Sequence, residues 1–139
     1  DWNRGYGRAG FVQFQCALPR HAAREGMHAL LAAIARSGEA SVLSVLKRFG
    51  PQEGRFCFPM AGYTLALDFP VNDRSLSLMT TLDRITLDHG GRFYLAKDAR
   101  MPRAVLEAAD DRVAAFREMR AATGAAGRFV SAQSERLGL

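Results

Sequence analysis

The stretch Phe11-Val12-Gln13-Phe14-Gln15-Cys16-Ala17-Leu18, closed by Pro19, sets the frame for the rest of the chain. Val12, Phe14, Cys16 and Leu18 recur at period two and form one apolar face. Gln13 and Gln15 point the other way, the pattern of a half-buried β-strand. Pro19 has no N–H to continue a ladder, so the strand ends there. Downstream, His21 to Ser37 carries Met27, Leu30, Leu31 and Ile34 at helical spacing, with Gly38 suited to the C-terminal cap. Val42 to Phe49 reads as a second strand, stopped by Gly50-Pro51, and a loop rich in proline and glycine follows over 50–59. Gly62 to Phe69 is a third strand. Its alternation separates Tyr63, Leu65, Leu67 and Phe69 from the small and polar Gly62, Thr64, Ala66 and Asp68. Residues 73–89 form a second amphipathic helix with Leu78, Met79, Leu82 and Ile85 inward. Phe93 to Ala96 makes a short fourth strand. Helices over about 102–122, with Val105, Leu106, Ala109, Val113 and Phe116 inward, precede an irregular tail.

The order β-α-β-β-α-β followed by helices predicts an α+β, ferredoxin-like split βαβ arrangement with extra C-terminal helices. Both helices then cover one face of the antiparallel sheet. The face bearing Gln13, Gln15, Thr64 and Asp68, with Phe11 and Phe49 beside them, is left as a ligand platform or a solvated surface.

Composition bounds the rest. The chain has 139 residues, of which 48% are hydrophobic and 24% charged, the values of an ordinary globular domain. Its length suits one domain, 1–139, with a real core. No apolar run approaches the roughly 20 residues of a membrane helix, and no signal segment is visible. The expectation is a cytoplasmic or peripherally membrane-associated protein. The chain opens on Asp1 rather than Met, which reads as an excised piece. Basic residues number 19 against 14 acidic, a net charge of +5. The excess sits toward the N-terminal end, compatible with an anionic ligand. Only Lys47 and Lys97 are lysines, the other basic residues being arginine. A lysine can shift its pKa on burial and an arginine cannot, which singles these two out.

Complete catalytic constellations are not visible. Cys16 and Cys57 form no CxxC and have no nearby histidine, which speaks against a disulfide framework or a zinc site. His21, His28 and His89 do not converge. Asp110-Asp111 reads as a helix-capping pair. Ser131 and Ser134 lack a nucleophile elbow. Gly5-Tyr6-Gly7-Arg8-Ala9-Gly10 has the letters GxGxxG but leads into the strand at Phe11 rather than from a strand into a helix, so it is not a dinucleotide-binding fingerprint, and no phosphate-binding GxxxxGK[ST] loop is present. Arg4-Gly5-Tyr6-Gly7 with Phe11-Val12-Gln13-Phe14 is a broken RNA-recognition string. The insertion Arg8-Ala9-Gly10 spoils its spacing and it sits on the first strand rather than the third, so no nucleic-acid partner is expected. A free-standing ferredoxin-like module that binds a small molecule, RNA or a protein stays open on these residues alone.

Several strings, taken in order, carry a resemblance across the chain: Trp2-Asn3 through Gly10-Phe11-Val12-Gln13-Phe14-Gln15; Leu46-Lys47-Arg48-Phe49-Gly50-Pro51; Phe58-Pro59-Met60-Ala61-Gly62-Tyr63 with Asp68-Phe69-Pro70; and Gly90-Gly91-Arg92-Phe93-Tyr94-Leu95-Ala96-Lys97-Asp98. Together they resemble the C-terminal substrate domain of FAD-linked oxidoreductases of the vanillyl-alcohol-oxidase class, in the branch that acts on a lipid-phosphate-linked ribose. The resemblance implies that FAD is held by an N-terminal domain absent from this chain, while this part caps the isoalloxazine ring and is inactive alone. It implies oxidation of a sugar or polyol hydroxyl to a ketone by hydride transfer to flavin. In the branch it resembles, a reductase partner then completes the arabinose epimer for cell-wall synthesis. By the same resemblance, Gln13, Gln15, Lys47, Phe49, Thr64 and Ala66 are substrate-pocket positions, and Tyr94 and Lys97 are the catalytic and cofactor-binding pair nearest flavin and the reacting hydroxyl. Thr64 stands where relatives often have Asn and Ala66 where some have Cys. The tail lacks an acidic residue that relatives tend to carry near Ala132.

Overall fold

Antiparallel pairing of β1 (Phe11–Pro19) with β3 (Gly62–Pro70) along their full lengths forms the middle of the sheet, in a computed structural model that describes residues 7–139. Trp2-Asn3 and Arg4-Gly5-Tyr6, from the strings quoted above, lie outside the described residues. β2 (Leu43–Phe49) pairs with the outer side of β3 and β4 (Arg92–Phe93) with the outer side of β1, giving the order β2-β3-β1-β4. With α1 (Ala23–Ser37) after β1 and α2 (Asp73–Asp88) after β3, this is the ferredoxin-like topology that the alternation predicts.

The inner face of the sheet is the apolar set of the sequence reading. Val12, Phe14, Cys16 and Leu18 of β1 and Leu65, Leu67 and Phe69 of β3 are buried together with Leu30 of α1 and Leu78, Met79 and Leu82 of α2. Each large side chain so removed from water contributes about 1.5–3 kcal/mol. Phe14 and Phe93 meet edge to face at 6.1 Å, which ties β4 into this layer. Asn72 caps α2 by accepting the Ser75 N–H at 2.8 Å, and Gly38 ends α1 at a φ of 73°.

The structure corrects several sequence expectations. Leu31 is 55% exposed rather than inward. The buried face of α1 is Ala23, Gly26, Leu30 and Ala33, because the helix lies too close to Leu18 for anything larger at Gly26. A Cβ there would stand 2.5 Å from Leu18 Cδ1. β4 stops at Phe93 instead of running to Ala96. Tyr94 still donates its N–H to Gln15 O at 3.0 Å, but the chain then closes a 3-10 turn over Leu95–Lys97. The helical region divides into α3 (Arg103–Ala109) and α4 (Val113–Ala122). Asp110 stands at the junction, where its carboxylate accepts the Arg112 N–H at 3.1 Å and pairs with the Arg112 guanidinium at 2.6 Å. The tail is not irregular: α5 (Ala125–Arg128) and α6 (Ala132–Leu137) occupy it, with Ser131 and Ser134 in a reciprocal cap at the start of α6. Among the described residues, no helix is long and apolar enough to cross a membrane.

Candidate functional site

The pairing register puts every predicted strand residue of the site on one face. Gln13 lies opposite Asp68, which lies opposite Leu43; Gln15 opposite Ala66, then Val45; Ala17 opposite Thr64, then Lys47; Pro19 opposite Gly62, then Phe49. Residues directly opposite share a face in an antiparallel sheet. Gln13, Gln15, Lys47, Phe49, Thr64 and Ala66 therefore share the face turned away from α1 and α2, and Phe11 joins them. Arg92 pairs with Ala17, and Tyr94, two residues on, hydrogen-bonds alongside Gln15. A row Val45–Ala66–Gln15–Tyr94 thus crosses the sheet. Its middle is a floor of small residues, Ala66 with the neighbouring Ala17 and Thr64, of which Ala17 and Thr64 are fully buried.

The floor's polar groups are fixed in place. Gln13 Nε2 donates to Asp68 Oδ1 at 2.9 Å, and Gln15 Nε2 donates to Thr64 Oγ1 at 3.1 Å. Asp68 is an acceptor, so the Gln13 amide nitrogen must face it. Each glutamine keeps its carbonyl oxygen and a second N–H for a ligand. Asp68 is steadied in turn by Ser41, whose hydroxyl accepts the Asp68 N–H at 3.0 Å.

Aromatic rings wall the face. Phe49 meets Phe58 edge to face at 5.8 Å, and Phe58 stacks on Tyr94 at 4.7 Å, carrying the wall from the β2 edge to the β4 edge. Phe58 comes from the loop after β2, which Arg112 holds by donating to Cys57 O at 2.8 Å. Burial works against charge at Asp110, yet the Arg112 hydrogen bonds outweigh it and hold that carboxyl below its ordinary value.

Lys97 sits on the 3-10 turn beside Gln13, Gln15 and Tyr94, which together line a small depression. Lys47 is exposed on β2. Neither ammonium has a hydrogen bond or ion pair among the described residues. Both border the same face from opposite edges of the sheet, and neither is packed beneath the helices. What fixes the Lys97 turn escaped the sequence reading. Asp98 Oδ1 accepts the N–H groups of Arg100 and Met101 at 3.1 and 2.8 Å. Arg100 reaches α2 and grips Asp83 with two hydrogen bonds of 2.8 and 2.7 Å. Burial pushes the Asp83 carboxyl up, and Arg100 works against it. From the other side, α6 sends Gln133 to the carbonyls of Leu95 and Asp98 at 2.6 and 3.0 Å, and Arg136 to Asp98 Oδ2 at 2.8 Å and to Met101 O. No local pattern announces pairings this distant in sequence. Phe58 did carry a signal, since it opens one of the matching strings.

Cys16, on the inner face, has no part in this site. Burial pushes its thiol up to about 12, so it stays protonated.

No family model matches the chain. Over its whole length it is 37% identical, across 140 aligned positions, to decaprenylphosphoryl-beta-D-ribose oxidase of Mycolicibacterium smegmatis. The chain is similar to part of an oxidase. It spans 30% of that protein. It is also 34% identical, over 142 positions, to a Streptomyces coelicolor protein named "Uncharacterized protein in mprA 5'region", of which it spans 38%. The chain therefore covers about a third of the length of these curated relatives. The resemblance carried by the quoted strings holds from one end of the chain to the other.

Proposed function

We propose that this chain is the substrate-binding part of an FAD-dependent oxidoreductase that oxidises a hydroxyl of a prenylphosphate-linked ribose to a ketone. The observation that carries the reading is the gathering of Gln13, Gln15, Thr64, Ala66, Lys47, Phe49 and Tyr94 on the sheet face turned away from α1 and α2, with Lys97 at its edge. The oxidase name of the relative supports the reaction class.

The residues fit a flavin held by sequence outside this chain. Among the described residues no glycine-rich loop leads from a strand into a helix to cradle a diphosphate, and the polar groups that would meet a sugar are Gln13, Gln15 and Tyr94, which line the small depression beside Lys97. FAD bound against this face would supply the hydride acceptor. As hydride leaves the carbinol carbon, the carbinol oxygen must shed its proton, and the C–O bond becomes a carbonyl. Lys97 holds that oxygen by its ammonium and offsets negative charge that develops nearby. The Tyr94 phenol, fixed against Phe58, relays that proton, its oxygen accepting it as its own O–H proton passes to water. Gln13 and Gln15 orient the other sugar hydroxyls through the oxygen and N–H left over from their internal bonds. Lys47, across the sheet, meets the phosphate end of the substrate.

The test is Lys97→Met in the full-length protein. Flavin stays bound, because sequence outside this chain supplies most of its hold, while turnover of a ribosyl lipid phosphate falls by about a hundredfold or more. Turnover at the parent rate would overturn the assignment.

A further inference from the structure

Residues 50–61, the loop between β2 and β3, form neither helix nor strand, yet they reach across the sheet face that carries the site. Phe49 lies in the row Phe49–Gly62–Pro19 and Tyr94 in the row Val45–Ala66–Gln15–Tyr94, with Thr64 and Ala17 in the row between them. Phe58 of the loop touches both Phe49 and Tyr94, so its ring passes over that middle row. Ala17 and Thr64 are accordingly buried although they face away from α1 and α2. The loop is a strap, and Phe58 is where it bears on Tyr94.

This stack needs a fastening. Phe58 and Tyr94 also line a cavity of about 350 Å³ between the strap, the 3-10 turn and the C-terminal helices, so packing alone leaves both rings room to shift. Two guanidinium groups supply the fastening at the peptide carbonyl that joins Cys57 to Phe58. Arg112 donates from Nη2 to Cys57 O at 2.8 Å and from Nη1 to Gly54 O at 3.4 Å, and Arg92 donates to Cys57 O at 3.3 Å. Arg112 is the firmer of the two. Asp110 holds its Nε at 2.8 Å and its Nη2 at 2.6 Å, and the guanidinium lies over the Phe56 ring at 5.7 Å. A bidentate pair of this kind fixes the plane of the guanidinium, which a lysine would not reproduce. The junction of α3 and α4, where Asp110 and Arg112 stand, thus reaches the sheet face through one carbonyl oxygen.

We propose that Arg112 is a positioning residue for Tyr94, setting the phenol ring through Cys57 O and Phe58. The inference rests on the proton relay proposed for Tyr94, and it adds what aims that group. Arg112 acts at one remove, from beyond the strap. A misplacement of about 1 Å can cost about a hundredfold in rate, so a fastening this far from the reacting hydroxyl still bears on the chemistry.

Variants of the full-length protein test this. Arg112→Met lowers kcat for a ribosyl lipid phosphate about tenfold with KM little changed, as expected for an interaction felt in the transition state. Arg112→Lys keeps a donor for Cys57 O and recovers part of the rate. In a Tyr94→Phe background Arg112→Met costs less than about twofold more, because the hydroxyl it aims is gone, whereas a residue that only stabilised the fold would cost the same in both backgrounds. Asp110→Asn unclamps Arg112, gives a smaller fall of the same kind, and serves if circular dichroism finds Arg112→Met unfolded. Fluorine NMR of protein labelled with 3-fluorotyrosine reads the ring itself. The Tyr94 resonance, assigned by its loss in Tyr94→Phe, moves in Arg112→Met toward its position in Phe58→Leu, where the stacked ring is gone. An unmoved Tyr94 resonance, or an equal fall in kcat with and without the Tyr94 hydroxyl, overturns the proposal. If no ribosyl lipid phosphate is turned over while the resonance moves as described, the oxidation fails and the placement of the ring by Arg112 stands.

Discussion

Arg136→Ala severs α6 from the turn that carries Lys97, and its cost follows from the contacts. The side chain gives two hydrogen bonds, one to Asp98 Oδ2 at 2.8 Å and one to Met101 O. Bonds to charged groups are each worth about 1.5–3 kcal/mol when sheltered. Arg136 is 28% exposed and Asp98 11%, so solvent screens part of that. Asp98 also keeps its two backbone donors, Arg100 N–H and Met101 N–H, and is not orphaned. Screening brings the net loss to about 2 kcal/mol, below the roughly 3 kcal/mol low end of the unscreened sum. For a chain of this length one kcal/mol moves the melting midpoint by roughly 4 °C, so the fall should be about 8 °C. Differential scanning fluorimetry measures it. Hydrogen exchange adds a local readout: the amides of Lys97 and Asp98, bonded to Tyr94 O at 2.9 Å and Leu95 O at 3.1 Å, should exchange faster than the β1–β3 ladder does. Glu53→Gln, at an exposed residue with no ion pair among the described residues, is the control and should leave the midpoint nearly unmoved. A fall in Arg136→Ala no larger than in the control, or unchanged exchange at residues 97 and 98, would refute the claim that α6 holds this turn.

Gly62→Ala should leave little folded protein, because a Cβ there would stand 1.9 Å from the backbone oxygen of Leu18, a clash costing more than about 3 kcal/mol; soluble yield and circular dichroism measure it. Iodoacetamide should label Cys57 in the native protein and reach the buried Cys16 only after denaturation, and mass spectrometry that finds Cys16 labelled in the folded state would contradict its burial. The Asp110–Arg112 pair is an acid-sensitive latch. The folded carboxyl lies below its ordinary 3.8, so its stabilisation is full above that pH and is lost as pH falls through the lower folded value. Asp110→Asn should therefore be less stable than the parent by about 1–2 kcal/mol at neutral pH, with the gap closing in acid; urea melts across pH would show it.

Period-two alternation made β1 and β3 legible, because one face of each is buried by helices and the other is not. The same alternation puts Gln13, Gln15, Thr64 and Ala66 on the faces opposite the apolar stripes, where the pairing register brings them together. Leu31 misled because size alone suggests an inward residue, whereas α1 packs through its smallest side chains, and closeness to Leu18 is a tertiary demand. The end of β4 escaped because Tyr94-Leu95-Ala96 has ordinary strand character, and the competing bonds come from Asp98, Gln133 and Arg136. α6 is short and unremarkable in propensity, and what makes it helical is its docking. Thus the floor of the site was written locally, and the clamp on Lys97 only in long-range pairs.

The clamp also imposes an order on biosynthesis. Asp98 and Arg136 are 38 residues apart, and at about 5–20 residues per second a ribosome needs roughly 2–8 s to pass from one to the other. Throughout that interval the nascent sheet has its glutamine floor but not the fastening of its ammonium group. The turn that carries Lys97 is thus fastened later than the β1–β3 ladder it borders.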